Sequence, residues 1–114
     1  MSDHLQVFCT TDSRSEAEAI AAALVRDELA ACAQIAGPIV SVYRWEGEVE
    51  RAEEWLLLAK TTAAGYDPLE AAIVGMHSYD VPEIVALPIE RGSEAYLQWL
   101  ETSVTQRHED SGAS

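Results

Sequence analysis

Basic residues are scarce in this sequence, and Lys60 is its single lysine. Seven basic residues stand against 20 acidic ones, which gives the 114-residue chain a formal net charge of −13. A surface this acidic repels phosphate backbones and anionic lipid headgroups and attracts cations. The sequence also has no apolar run that approaches the ~20 residues of a transmembrane helix. We therefore expect neither nucleic acid nor membrane among its partners.

Cysteine is scarce as well. The two cysteines, Cys9 and Cys32, are too few for a disulfide scaffold. Residues 1–4 lack the basic region and the apolar stretch of a secretory signal. Both absences predict a reducing compartment, the cytoplasm.

Catalytic signatures are missing too. The sequence contains no G-x-S-x-G, no Walker loop, no H-E-x-x-H and no C-x-x-C. Its many carboxylates, such as those at residues 46–54, are spaced as on solvated helix faces and hairpin strands. We therefore predict that the protein is not an enzyme.

What the sequence does contain is the composition of one globular domain, with 48% apolar residues. Residues 1–104 are predicted to form this single domain. Residues 105–114 hold no apolar side chain except Ala113 and are expected to be a disordered polar tail.

Hydrophobic periodicity predicts strands at residues 5–10, 31–43, 53–61 and 83–89, and helices that begin at Ser13, Asp67 and Ser93. The first helix is expected to run to about Ala30. Gly37-Pro38 is expected to interrupt the second strand, because proline cannot donate to a ladder. The apolar run at residues 55–59 is expected to be buried on both faces.

This order of elements predicts an α+β fold of the ferredoxin-like split βαβ type (βαββαβ), with an additional C-terminal helix. The antiparallel sheet of that fold has the strand order 4-1-3-2.

Soft and imidazole donors, the ligands that favour copper and similar transition metals, are the strongest candidates for a binding site. The predicted strand order puts Cys9 and His77 at the same end of the domain. Cys32 falls at the opposite end, two strand spacings (~10 Å) to the side. A disulfide between the two cysteines needs Cα atoms within ~7 Å and is not expected within one chain. Cys9 and His77 are therefore the predicted pair, Cys32 is assigned to the core, and a contribution from Met76 stays open.

Six segments of the sequence, taken in order, resemble the CutA divalent-cation tolerance proteins. They are Cys9-Thr10, Glu28-Leu29-Ala30-Ala31-Cys32-Ala33, Tyr43-Arg44-Trp45-Glu46-Gly47, Leu58-Ala59-Lys60-Thr61-Thr62, His77-Ser78-Tyr79-Asp80-Val81-Pro82-Glu83-Ile84 and Leu87-Pro88-Ile89. The ordered set, which covers residues 5–104, is far more specific than any one segment.

The resemblance implies a ferredoxin-like subunit in a tight homotrimer, similar to the PII-type signalling trimers, and a role in tolerance of divalent metals. It further implies copper bound through Cys9 and His77, with no metal required for folding. The long hairpin at residues 43–54, with Trp45 and Trp55 on or beside it, agrees with burial against another chain.

A second hypothesis is a PII-like regulatory trimer that binds a small ligand or a partner protein in clefts between subunits. The candidate cleft residues are Arg44, Trp45, Lys60 and Tyr79, because an isolated lysine in an acidic protein can bind an anion. The alternative for the basic side chains is an ion pair with a nearby carboxylate.

Overall fold

The structure is a computed structural model that describes residues 3–105. Within this range the elements are β1 (His4–Thr11), α1 (Arg14–Arg26), β2 (Cys32–Trp45), β3 (Glu48–Thr62), α2 (Tyr66–Met76), β4 (Ile84–Pro88) and α3 (Glu94–Ser103). The strands form one antiparallel sheet in the order β2-β3-β1-β4. The α+β ferredoxin-like fold with an additional C-terminal helix is therefore confirmed, together with the predicted strand order.

The helix α1 begins where the sequence predicts but ends earlier. Ser13 caps it, because the Ser13 hydroxyl accepts the backbone N–H of Glu16 at 3.1 Å. The predicted end at Ala30 is wrong, since the helix stops at Arg26 and Glu28 adopts a left-handed conformation with φ 60°. This reversal sends the two residues that follow into the core.

The start of α2 is set by packing rather than by capping. The predicted cap residue, Asp67, lies in the first turn, and the N-cap position is Gly65, without a side-chain cap. A Cβ at Gly65 would lie 2.9 Å from both Thr61 Oγ1 and Val104 Cγ1, so this position is too enclosed for a side chain. Asp67 in the first turn still interacts favourably with the helix dipole.

The hairpin between β2 and β3 is longer than predicted. Glu46 (φ 51°) and Gly47 (φ 83°) form a two-residue turn, and Trp45 pairs directly with Glu48. As a result β3 begins at Glu48 rather than at residue 53. Its first residues are mostly charged, and the apolar alternation that predicts a strand is absent from them.

The strand β2 is interrupted where the sequence predicts. Its register against β3 shifts between Ala36 and Ile39, on either side of Gly37-Pro38. A Cβ at Gly37 would lie 2.6 Å from Trp55 Cδ1. Only glycine therefore lets the indole ring lie against this bulge.

One face of the sheet is covered by α1 and α2, and we call it the covered face. Its core residues are 0–1% exposed: Val7, Cys9, Ile20, Leu24, Leu57, Ala59, Leu69 and Ile73. Side chains alternate between faces along a strand, and residues paired across strands share a face. The other face, which we call the open face, is therefore formed by Phe8, Leu56, Leu58, Val85 and Leu87.

The predicted burial of residues 55–59 on both faces is wrong for the single chain. Leu57 and Ala59 are buried on the covered face, whereas Leu56 and Leu58 on the open face are only partly buried. The reason is that α1 and α2, which complete the core, lie on the covered face.

The helix α3 packs near the start of β2 through a second, smaller cluster: Ala31, Ile89, Leu100 and Val104. Beyond it, the Thr105 N–H donates to the Glu28 carbonyl at 2.9 Å. Residues 106–114 of the predicted tail lie outside the described residues. Between residues 3 and 105, no helix is both long enough and apolar enough to cross a membrane.

Candidate functional site

The end of β1 brings the two predicted soft donors together. β1 places Cys9 on the covered face, and His77 follows directly after α2. The Cys9 Sγ lies 3.7 Å, and the His77 Nε2 2.7 Å, from the same acceptor, the carbonyl oxygen of Thr10. Both side chains are closed to solvent, because Cys9 is 1% exposed and the His77 side chain 0%.

Both ring nitrogens of His77 are occupied by hydrogen bonds. Nε2 donates to the Thr10 carbonyl, and Nδ1 accepts the backbone N–H of Tyr79 at 3.1 Å. The ring must therefore give up one of these bonds before it can offer a lone pair to a metal.

A carboxylate from α1, Glu16, completes the surroundings of the ring. Its Oε2 lies 3.4 Å from His77 Nδ1 and accepts the Ser78 N–H at 2.8 Å, while its Oε1 accepts the Ser78 hydroxyl at 2.9 Å. Burial opposes the charged form, but the two hydrogen bonds from Ser78 hold the pKa of Glu16 below its usual value. An ionised carboxylate therefore lies beside the imidazole.

The Cys9 thiol is protonated at neutral pH. Burial, and after it the negative charges of Glu83, Glu16 and Glu54, raises its pKa to about 12. A metal therefore has to replace the thiol proton in order to bind. The same carboxylates favour this exchange, because a cation meets a negative potential there.

The chemistry of this donor pair fits a soft cation such as copper, because thiolate and imidazole are ligands that copper prefers. The pair supplies two donors. Among residues 3–105, no group of three or more His, Cys, Asp or Glu side chains could hold a metal ion.

The other two candidate donors do not join the buried pair. Met76 ends α2 and is 42% exposed. The assignment of Cys32 to the core is wrong, because Cys32 is only half-buried. It lies on β2 opposite Lys60 of β3, on the open face of the sheet. The Cys32 Sγ lies 3.5 Å from the Tyr96 hydroxyl. Both cysteines are free thiols.

A cavity of about 520 Å³ lies between the β2–β3 hairpin and the loop from α2 to β4, and we call it the hairpin cavity. Its lining includes three aromatic rings and three carboxylates, from Tyr43, Trp45, Tyr79, Glu54, Asp80 and Glu83. No lysine or arginine is among the described residues that line it.

Glu54 is the residue of this cavity that sequence reasoning missed, because it lies in an acidic stretch assigned to solvent. Glu54 is 7% exposed and accepts the Tyr79 hydroxyl at 2.8 Å. Burial, followed by this hydrogen bond and the charge of Glu54, raises the pKa of Tyr79, so its hydroxyl keeps its proton. The available signal is spacing, since Glu54 lies one strand period before Leu56, on the same face.

The four predicted cleft residues are divided in the structure. Trp45 and Tyr79 line the hairpin cavity. Arg44 instead donates to a backbone carbonyl of the hairpin turn at 3.5 Å. Lys60 donates to Gln34 Oε1 at 3.4 Å. Both basic side chains thus bond to neutral oxygens, and the single chain does not bring the four residues together.

Comparison with known proteins identifies one family. The family model for the CutA1 divalent ion tolerance protein matches residues 5–103. The divalent-cation tolerance protein CutA of Thermus thermophilus is 48% identical over 94 residues, which cover 82% of this chain and 91% of that protein. The chloroplastic protein CutA of Arabidopsis thaliana is 43% identical over 97 residues, and the match spans 53% of that longer protein.

The solved structures agree with the sequence comparison. The divalent cation tolerance protein Cut A1 from Thermus thermophilus superposes with a TM-score of 0.88 at 44% identity. The match covers 90% of this chain and 99% of that chain.

Proposed function

Because this chain belongs to the CutA1 divalent ion tolerance family, we propose that it acts in divalent-cation tolerance as a cytoplasmic homotrimer that binds copper through Cys9 and His77. It binds the metal as cargo and does not transform a substrate. The observation that carries the copper proposal is the convergence of the Cys9 thiol and the His77 ring on one backbone oxygen, that of Thr10.

The energetics of the pair favour a soft cation that can displace a proton. Copper forms strong bonds to thiolate, and these can offset the cost of ionising a thiol with a pKa of about 12. Hard cations form weaker bonds to sulfur and do not offset that cost. We therefore expect selectivity for copper over magnesium at this pair.

The trimer is supported by apolar surface that the single chain leaves uncovered. The outer part of the hairpin is exposed at Val40 (59%), Val42 (65%), Trp45 (57%) and Val49 (67%). The open face adds Val85 (50%) and Leu87 (56%). Val40, Val42 and Val49 share one side of the hairpin, and clusters of exposed apolar side chains of this kind mark protein–protein interfaces.

The cytoplasmic location is supported by the two free thiols, because a reducing compartment keeps cysteines unpaired. The Arabidopsis relative is named a chloroplastic protein. Cell fractionation with an antibody to this chain tests the location directly, and recovery outside the cytoplasm would contradict it.

The copper proposal is tested by titration of the full chain with Cu(I) in the presence of a competing chelator. Cys9→Ser keeps a hydroxyl that can donate to the Thr10 carbonyl, and His77→Gln keeps a side-chain N–H for the same bond. Both variants are therefore expected to fold and to lose tight copper binding. Cys32→Ser is the matched control and is expected to bind as the wild type does.

Two results would contradict the proposal. Cys9→Ser could bind copper as tightly as the wild type, or the wild type could bind magnesium and copper with equal affinity at 0.1 M salt. Surface carboxylates alone give the second pattern, because they bind hard ions weakly and salt screens them within about 10 Å.

A further inference from the structure

We propose that Glu16 and Ser78 are positioning residues that close the entrance to the Cys9 thiol. Release of their contact, which we call the latch, sets the rate at which a thiol-binding ion or reagent reaches Cys9. The inference rests on the proposed function for the identity of the ion, which is copper. The closing contact itself involves only side chains and backbone of this chain.

The Cys9 thiol and the His77 ring are closed to solvent. Cys9 is 1% exposed and the His77 side chain 0%. A metal ion or a thiol reagent therefore reaches Cys9 only after part of the structure moves. The part that moves at least cost lies at the surface, outside the helices and the sheet, and contacts the pair directly.

Residues 77–83, which we call the entrance segment, have these properties. The segment connects α2 to β4 and belongs to neither. It begins with His77, whose ring donates to the Thr10 carbonyl that Cys9 Sγ also contacts. It ends one residue before Ile84, which pairs with Cys9 across the sheet. Both ends of the entrance segment therefore lie beside Cys9.

Glu16 holds the entrance segment closed from α1. Its Oε2 accepts the Ser78 N–H at 2.8 Å and its Oε1 accepts the Ser78 hydroxyl at 2.9 Å, so both carboxylate oxygens bind one residue. Hydrogen bonds to an ionised acceptor are about twice as strong as those between neutral groups. Ser78 is exposed, so it can move outward with His77 once the latch breaks.

The position of the latch is compatible with the proposed trimer. Glu16 belongs to α1, in the helix layer over the covered face, whereas the proposed subunit contacts use the open face and the outer hairpin. Tyr79, which lines the hairpin cavity, is bonded to Glu54 and is the fixed end of the movement. Release of Ser78 therefore needs no change at the hairpin.

The test is the rate at which iodoacetamide alkylates Cys9 in the full chain at pH 8, followed by mass spectrometry without any metal. Ser78→Ala removes the hydroxyl from the latch and keeps the charge of Glu16. We expect this variant to raise the rate at Cys9 about tenfold, because it loses one hydrogen bond to a charged group.

Two controls accompany this variant. Cys32 of the same molecule lies on the open face, away from the latch, and should keep its rate. Ser15→Ala removes an exposed hydroxyl from α1 that contacts Ser13 rather than the latch. It should leave the rates at both cysteines unchanged.

A pair of Glu16 variants separates the latch from the effect of charge. Glu16 is one of the carboxylates that, after burial and Glu83, raise the pKa of Cys9, so its neutral replacement alone speeds alkylation. Glu16→Gln and Glu16→Ala remove the same charge, but only glutamine keeps an oxygen that can accept the Ser78 N–H. We expect Cys9 to react several-fold faster in Glu16→Ala than in Glu16→Gln.

The dependence of the rate on urea distinguishes movement of the entrance segment from unfolding of the whole chain. Global unfolding exposes a large surface, so its population rises steeply with urea, whereas a local opening exposes little. We expect the rate at Cys9 in Ser78→Ala to stay nearly constant at low urea concentrations.

Three results would overturn the proposal. Cys9 could react no faster in Ser78→Ala than in the wild type, or equally fast in the two Glu16 variants. Its rate could also rise with urea as steeply as global unfolding does. Thermal unfolding verifies that each variant is folded. Because no metal is present, these results are independent of the copper titration, whose failure would contradict the proposed function and leave the latch as described.

Discussion

The two faces of the sheet are made by alternate residues of the same strands, yet they end in opposite states. On the covered face Leu57 is 1% exposed beneath α1 and α2. On the open face Leu58, the next residue, is only partly buried, and Val85 is 50% exposed. The covered face is a finished core, whereas the open face carries a central apolar group (Phe8, Leu56, Leu58, Val85 and Leu87) that α1 and α2 do not cover.

This difference separates what one chain provides from what it leaves for a partner. The covered face encloses Cys9 completely and thereby controls its chemistry through burial. The open face keeps Cys32 half-buried beside Tyr96 and Lys60. The two thiols therefore lie on different faces of the sheet. The largest expected difference between the faces is in the rates at which these two thiols react.

Alkylation should modify Cys9 far more slowly than Cys32 in the folded protein. The pKa of Cys9 is raised from 9.0 to about 12, so at pH 8 its thiolate fraction is about a thousandfold lower than in the unfolded chain. The rate at Cys9 should rise about tenfold per pH unit between pH 7 and pH 9, because the thiolate fraction does. Mass spectrometry of timed iodoacetamide reactions measures both sites.

The unfolded chain is the control for this comparison. In denaturant, both cysteines should react at similar rates. A folded protein in which Cys9 reacts as fast as Cys32 would mean that the covered face opens readily.

Features that depend on residues close together in sequence could be predicted from the sequence. The N-cap of α1 at Ser13 and the break at Gly37-Pro38 involve neighbouring residues, and both are predicted correctly. Strand order follows from element order, so the shared end of Cys9 and His77 is also predictable. Periodicity and spacing are therefore enough to predict the strand order and these two local features.

The remaining features depend on residues distant in sequence. His77 Nε2 donates to the Thr10 carbonyl, 67 positions away, and Glu54 accepts the Tyr79 hydroxyl, 25 positions away. The end of α1 depends on Glu28 reversing the chain so that the next residues reach the core. The contacts of His77 and Glu54 join residues far apart in sequence and leave no periodic signal. For Glu54 the strand spacing indicates only the face of the sheet and not the partner.

Truncation of neighbouring leucines should sharpen the comparison of the faces. Leu57→Ala removes a buried side chain from the covered face and should lower the free energy of unfolding by about 2–5 kcal/mol. If another subunit covers the open face, Leu58→Ala should lower the free energy of unfolding by about 2 kcal/mol. If the face meets water, the change should be no more than about 0.5 kcal/mol. Urea unfolding at two protein concentrations measures both, because trimer stability depends on concentration.

An equal, small cost for both leucines would contradict the assignment of the faces. A large cost for Leu57→Ala with none for Leu58→Ala would keep the covered face as described and contradict a trimer built through the open face.

A charge placed on the open face should change the mass of the particle about threefold. Leu87 is 56% exposed on β4, and in a trimer built through the open face, Leu87→Glu would bury a carboxylate without a partner in each interface. Light scattering after size exclusion should give about three times 12.4 kDa for the wild type and one chain for the variant. Val74 lies on α2, in the helix layer over the covered face, and is 52% exposed. Val74→Glu adds the same charge there, and this variant should remain trimeric. If Leu87→Glu also remained trimeric, the open face would not be the interface, and the exposed hairpin alone would have to hold the subunits together.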